Sequence, residues 1–134
     1  MVQAKILVID DDEGMTELME MILSPAASHI LTANTGQEGV DLVRKSNPDI
    51  VILDLMMPGM DGWEVCRAIR EFSRVPILIL SALDSPETVA TSLDAGADDF
   101  LPKPASTSTL LARMNRLLKR TRVSFSSLYA AGQA

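Results

Sequence analysis

The 134-residue chain is predicted to form an α/β domain, a five-stranded parallel sheet with helices on both faces. Short runs of consecutive apolar residues, such as Ile6–Ile9 and Ile50–Leu53, read as strands buried on both faces. Between the runs, apolar residues recur with helical spacing. Five such strand-helix units call for right-handed crossovers, which bring every strand's carboxyl end to one edge of the sheet.

The first strand is expected over Lys5–Ile9, running directly into Asp10, Asp11, Asp12 and Glu13. A helix follows the acids, with Met15, Leu18, Met19, Ile22 and Leu23 spaced for one buried face, and Pro25 stops it. His29–Ala33 is the weakest strand. Asn34 or Thr35 can cap the next helix, which carries Val40 and Val43 and ends before Asn47-Pro48. Ile50–Leu53 forms the third strand and ends on Asp54. The loop Met57–Gly62 leads into a helix with Val65, Cys66 and Ile69 inward. Val75–Leu80 is the fourth strand, ending on Ser81. Ser85-Pro86 supplies a cap and a proline at the first helical position, opening a helix to about Ala95-Gly96. Asp99–Leu101 is a short fifth strand ending near Lys103. Ser106 caps a last helix with Leu110, Met114, Leu117 and Leu118 on one face.

Length fits one domain, and 47% hydrophobic content is enough for a core. Cys66 is the single cysteine, so no disulfide forms within the chain, which suits a reducing cytoplasm. Every apolar run is short and interrupted by charge, so neither a signal peptide nor a membrane span is expected. Residues 1–100 carry 18 acids against 6 bases, while residues 101–134 carry 6 bases and no acid. A nucleic-acid surface on the body of the domain is therefore not expected.

The polar residues at strand ends carry the chemistry. Asp10 and Asp11 end the first strand, Asp54 the third, Ser81 the fourth and Lys103 the fifth, so all converge on the cleft where open α/β sheets build their sites. Clustered carboxylates raise one another's pKa unless a cation neutralises them, and hard oxygen ligands without thiols or a histidine cluster point to Mg²⁺ or a similar ion. The bland alternative is a solvated acidic helix start. Taken jointly, the residues supply what phosphoryl transfer to a carboxylate needs: acids for a divalent ion, an acidic nucleophile, a hydroxyl donor and a cation.

In Ile6-Leu7-Val8-Ile9-Asp10-Asp11, Asp54-Leu55-Met56-Met57-Pro58-Gly59-Met60-Asp61-Gly62, Ser81-Ala82 and Gly96 to Pro104, the chain resembles the receiver domain of two-component response regulators. The resemblance covers Lys5 to about Arg120. It implies a flavodoxin-like doubly wound sheet of order 2-1-3-4-5 with five helices. It also implies a phosphoacceptor rather than an enzyme, taking a phosphoryl group on Asp54 from a histidine kinase or phosphotransferase, with Mg²⁺ as cofactor. By the same resemblance Asp11 and Asp54 would ligate Mg²⁺ directly, Asp10 through water, and the main-chain carbonyl of Met56 would complete the protein ligands. Ser81 would bond the phosphoryl group, Lys103 would pair with it, and Phe100 would be the switch aromatic that moves inward with Ser81. Lys103-Pro104 is a cis peptide in the family, where proline makes cis accessible. Asp12 and Glu13 are assigned to the helix start, and Trp63 and Cys66 to packing.

Residues 1–122 are expected to be the receiver domain and residues 123–134 a tail or linker, which leaves an isolated receiver of a longer DNA-binding regulator as the alternative for output. The output surface implied by the family is the face of the fourth helix, fifth strand and fifth helix. In one subclass that face dimerises through crossed ion pairs, a pattern that Asp98, Asp99, Arg113 and Lys119 or Arg120 fit. The fourth helix supplies no base, because Thr91 stands at the aligned position and Glu87 to Asp94 contain no Lys or Arg. A monomer or a weak phosphorylation-dependent homodimer is therefore expected. Ala105 replaces the aromatic often found after Lys-Pro. An Asp-x-Asp phosphohydrolase would use Asp10 and Asp12 but would need a cap domain, and a flavin protein of this fold would need a Ser/Thr/Gly loop where the acids stand. A receiver serving only as an interaction platform would not need the complete acceptor set.

Overall fold

The computed structural model describes residues 4–133, with side chains described for residues 4–120. Strands β1 (Ala4–Ile9), β2 (Ala27–Ala33), β3 (Ile50–Leu53), β4 (Ile77–Ser81) and β5 (Asp99–Pro102) alternate with helices α1 (Glu13–Leu23), α2 (Gly36–Ser46), α3 (Gly62–Arg70), α4 (Pro86–Asp94) and α5 (Thr107–Gln133). All strand pairs are parallel, and the order across the sheet is β2-β1-β3-β4-β5. The expected order and element count are both present.

Alternate residues of each strand serve opposite layers, as the two-residue period of a strand requires. Leu7, Ile9, Val51, Leu53, Ile77, Ile79 and Phe100 pack with Val40, Val43, Val65, Cys66 and Ile69 from α2 and α3. Ile6, Val8, Ile50, Ile52, Leu78 and Leu80 pack with Met19 and Leu23 of α1 and with Leu110, Met114, Leu117 and Leu118 of α5. The central strands β3 and β4 are buried along their whole length, which is why they read as unbroken apolar runs.

Helix starts are set by side chains that take up backbone N–H groups the helix leaves unpaired. Asp12 accepts from the Met15 amide, Thr35 from Glu38, Asp61 from Glu64 and Ser85 from Thr88. Ser106 accepts from the Thr109 amide at 3.1 Å. Of the two residues that could cap α2, Thr35 does so; Asn34 has another role described below. Asn47 closes α2 in the left-handed region at φ 48°.

Two expectations shift, the inward face of α1 and the points at which β2 and β4 begin. Leu18 is 47% exposed rather than inward. Thr16 takes the buried position and bonds back to the Glu13 carbonyl, and Leu18 lies two residues on, about 200° round the helix. The strand expected from His29 begins at Ala27, and the one expected from Val75 begins at Ile77. The residue 122 boundary drawn from the sequence falls inside α5, and the side chains of residues 121–134, Arg122 among them, lie outside those described.

Gly62, at the start of α3, holds the loop after β3 tightly folded. Its N–H donates to the Leu55 carbonyl at 3.0 Å, and a Cβ there would stand 2.5 Å from the Asp54 carbonyl oxygen and 2.7 Å from Leu55 Cα. Backbone cannot yield as a flexible side chain would, so Gly62→Ala is expected to destabilise by about 3 kcal/mol, at the upper end of the usual overpacking cost. A lower urea midpoint at unchanged slope checks this; an unchanged midpoint would show that the loop can relax.

Candidate functional site

β1 and β3 lie side by side at the centre of the sheet, and the chain leaves both at the same edge. The Asp54 N–H donates to the Ile9 carbonyl at 3.0 Å, which fixes Asp54 beside the end of β1. Asp10 is 4% exposed, and its environment is fully specified. Its N–H donates to the Ala33 carbonyl at 3.0 Å, and its carbonyl accepts from the Asn34 amide at 2.9 Å. One carboxylate oxygen accepts from the Asp12 N–H and the other from Lys103 Nζ, both at 3.0 Å. Lys103 Nζ also lies 3.8 Å from Asp54 Oδ2. Asp11 is exposed beside them, and carboxylate oxygens of Asp10, Asp11 and Asp54 all lie within 4.8 Å of one another.

Asp54 is pushed above its ordinary carboxylate value, first by burial and then by the Asp10 charge. The Lys103 ammonium and the backbone N–H groups of Met56 and Leu55 pull the other way without cancelling these effects. One lysine therefore does not neutralise the cluster. Oxygen donors alone, converging at this spacing and short of positive charge, fit a hard divalent cation such as Mg²⁺.

Ser81 ends β4 at the same edge and is fully buried; its Oγ accepts from the Leu83 N–H at 3.2 Å. The Lys103 N–H donates to the Ser81 carbonyl at 2.9 Å, tying the end of β5 to the end of β4, and Lys103-Pro104 is cis. Phe100 is buried in the layer beneath α3 and α4. Met56 donates its N–H toward Asp54, while its side chain is 56% exposed. Asp10, Asp11, Asp54 and Lys103 are thus brought together, with Ser81 held on the adjoining strand and Phe100 in the layer below.

One residue without a distinguishing mark in the sequence supports this edge, and another fastens the opposite edge, where β4 and β5 begin. Asn34 joins the Asp10 carbonyl to the Thr16 hydroxyl, so it ties β2 and α1 to the acidic loop. A polar residue after a strand was legible there only as a helix cap. Arg70 donates to the carbonyls of Gly96, Ser73 and Val75 and pairs with Asp98 at 2.9 Å, clamping the end of α3 to the start of β5. Asp98 also pairs with Arg120, and Asp99 with Arg113 and Arg116. Asp98, Asp99, Arg113 and Arg120, which suit contacts between copies, are therefore paired within one chain.

The response regulator receiver domain family matches residues 6–115. A response regulator named MprA from Mycolicibacterium vanbaalenii is 48% identical over 118 residues, covering 87% of this chain and 51% of that protein. The chain spans about half the length of the curated relatives it matches. Among solved structures, the receiver domain of a Francisella response regulator superimposes with a TM-score of 0.82 at 36% identity, covering 89% of this chain and 99% of that one. The BeF3-activated N-terminal receiver domain of Klebsiella pneumoniae RstA superimposes with a TM-score of 0.80 at 32% identity, covering 85% and 97%.

Proposed function

The chain belongs to the response regulator receiver family of two-component systems, and we propose that its Asp54 carboxylate accepts a phosphoryl group from a histidine kinase or phosphotransferase. The observation that carries this assignment is the meeting of Asp10, Asp11 and Asp54 within 4.8 Å, with Lys103 reaching Asp10 and Asp54 from the fifth strand.

An Asp54 oxygen attacks phosphorus, the bond from phosphorus to the donor's imidazole nitrogen breaks, and its electron pair returns to that nitrogen. The product is an acyl phosphate on Asp54. Lys103 is placed to pair with the incoming charge, leaving Asp10 to do so. Mg²⁺, when bound, would shield phosphoryl and carboxylate oxygens from one another. Asp11 and Asp54 would hold it directly, Asp10 through water, together with the main-chain carbonyl of Met56. Ser81 is the hydroxyl placed to bond the phosphoryl group, and Phe100 is the aromatic whose packing would follow it. The chain on this basis is a phosphoacceptor rather than a turnover catalyst. Incubating it with Mg²⁺ and a small phosphodonor, then mapping the mass gain by peptide, tests the assignment; no acyl phosphate, or one on another residue, would overturn it.

Asp11→Ala should weaken Mg²⁺ binding at least roughly tenfold, since loss even of a group supporting a metal ligand costs that much. Titration calorimetry reads it directly, and unchanged affinity would remove Asp11 from the ligand set. In the parent chain, Mg²⁺ at a hundred times its dissociation constant should stabilise the fold by about 2.7 kcal/mol.

The output face is proposed to be α4, β5 and α5. Relatives about twice as long support a further segment beside the receiver, and the output proposed for it is a DNA-binding effector, with residues 1–122 as the receiver and residues 123–134 as tail or linker. Among the described residues no helix is long and apolar enough to cross a membrane, and cytoplasmic residence suits both the kinase partner and the unpaired Cys66 thiol. Because Asp98 and Asp99 already have bases within the chain, and exposed pairs are worth only about 0.2–1 kcal/mol, self-association should be weak. Sedimentation should show a monomer and, with beryllofluoride, at most a salt-sensitive dimer. A tight dimer without it, or one indifferent to Arg113→Ala, would place the interface elsewhere.

A further inference from the structure

α4 is the most lightly anchored helix of the domain. Among the described residues, Ser92 is its one buried side chain, whereas α3 buries Gly62, Val65, Cys66 and Ile69. Ser92 is completely inaccessible, and its hydroxyl is fully engaged: it donates to the Thr88 carbonyl at 2.8 Å and accepts from the Trp63 indole N–H at 3.0 Å. Trp63 follows Gly62, whose N–H is bonded to Leu55 and whose Cα sits against the Asp54 carbonyl. A contiguous path of packed backbone and hydrogen bonds therefore runs from Asp54 through Gly62 and Trp63 to Ser92. Val89 of α4 and the Trp63 ring pack on the same core layer as Phe100.

We propose that the hydrogen bond from Trp63 to Ser92 is the tether between the acidic site and α4, holding the helix in register in the unmodified chain and setting its response to phosphorylation. The proposal rests on Asp54 as phosphoacceptor only in its second half. A lightly packed helix opens locally at low cost, so one buried polar bond is a large share of what restrains it. Both partners act by positioning and touch no reacting atom.

The test is a double-mutant cycle with Trp63→Phe, which keeps a ring in place and removes the donor, and Ser92→Ala, which removes the acceptor. Amide exchange in α4 of the unmodified protein should quicken about fivefold in each single variant, the worth of one net hydrogen bond, and no further in the double variant. Phosphoryl uptake on Asp54 should stay within about twofold of the parent chain, while the change in α4 exchange on adding Mg²⁺ and beryllofluoride is blunted. Unchanged α4 exchange in the single variants, effects that multiply in the double variant, or equal quickening in α2 and α4 would overturn the tether. Absence of an acyl phosphate in the parent chain would overturn the assignment of Asp54 instead, because the exchange of the unmodified protein decides the tether independently.

Discussion

Asp54→Asn should abolish phosphoryl uptake and, without Mg²⁺ at neutral pH, should leave the domain at least as stable as the parent chain. The first half follows from chemistry: an amide oxygen is a poor nucleophile, and the Asp10 carboxylate beside it is already engaged by Lys103 Nζ and the Asp12 N–H. The second half follows from the direction of the Asp54 pKa. Burial and Asp10 raise it above the ordinary 3.8, with Lys103 and two backbone N–H groups opposing. A raised carboxylate pKa means the folded state holds its proton more tightly than the unfolded one, so stability falls as pH rises from the unfolded value through the folded one. Below about pH 3.8 the penalty is absent; above the folded pKa it is complete, and Asn is spared it. Saturating Mg²⁺ should reverse the order, because the ion stabilises the full carboxylate set more than the amide variant. Thermal melts of both chains with and without Mg²⁺ test the crossover. A variant less stable under both conditions would mean that Lys103 outweighs burial.

The five parallel strands, the helix count and the convergence of acids on one edge were legible because each rests on local pattern, unbroken apolar runs at Ile50–Leu53, helical spacing at Leu110, Met114 and Leu117, and acids at strand ends, whereas the strand order came from the resemblance to receiver domains. Pattern fails where two readings share one periodicity. Met15, Leu18 and Ile22 repeat like a core face, yet Thr16 takes the inward position because its hydroxyl finds the Glu13 carbonyl and the Asn34 amide. Asn34, Arg70 and Ser92 were invisible for another reason. Their partners are Asp10, Gly96 and Trp63, distant in sequence and on different elements, and a polar residue's distant partner leaves no periodic trace. Asp98 and Asp99 were recognised as paired acids, but composition could not tell contacts within one chain from contacts between two.

Ser81→Ala separates taking up a phosphoryl group from responding to it. The substitution leaves Asp10, Asp11, Asp54 and Lys103 untouched, and the one bond lost, from the Leu83 N–H to Ser81 Oγ, ends on an exposed residue that water can serve. Uptake on Asp54 should therefore persist. The response should not. Phosphorylation adds roughly −1.5 to −2 charge, and a ligand moves a two-state equilibrium only by what it gains in one state over the other. A hydrogen bond from Ser81 to a charged phosphoryl oxygen would contribute about 1.5–3 kcal/mol, a shift of roughly ten- to hundredfold in population. Its loss should leave most molecules unswitched although phosphorylated. The β4–β5 register sets Ile79 beside Phe100 and Ser81 beside Pro102, so a Ser81 that moves toward Asp54 changes the packing next to Phe100. Resonances of Phe100 and of α4 should shift on adding beryllofluoride to the parent chain and hardly at all in Ser81→Ala. A full shift in the variant would show that Lys103 alone draws the face into its second state and that Ser81 is only a buried strand end.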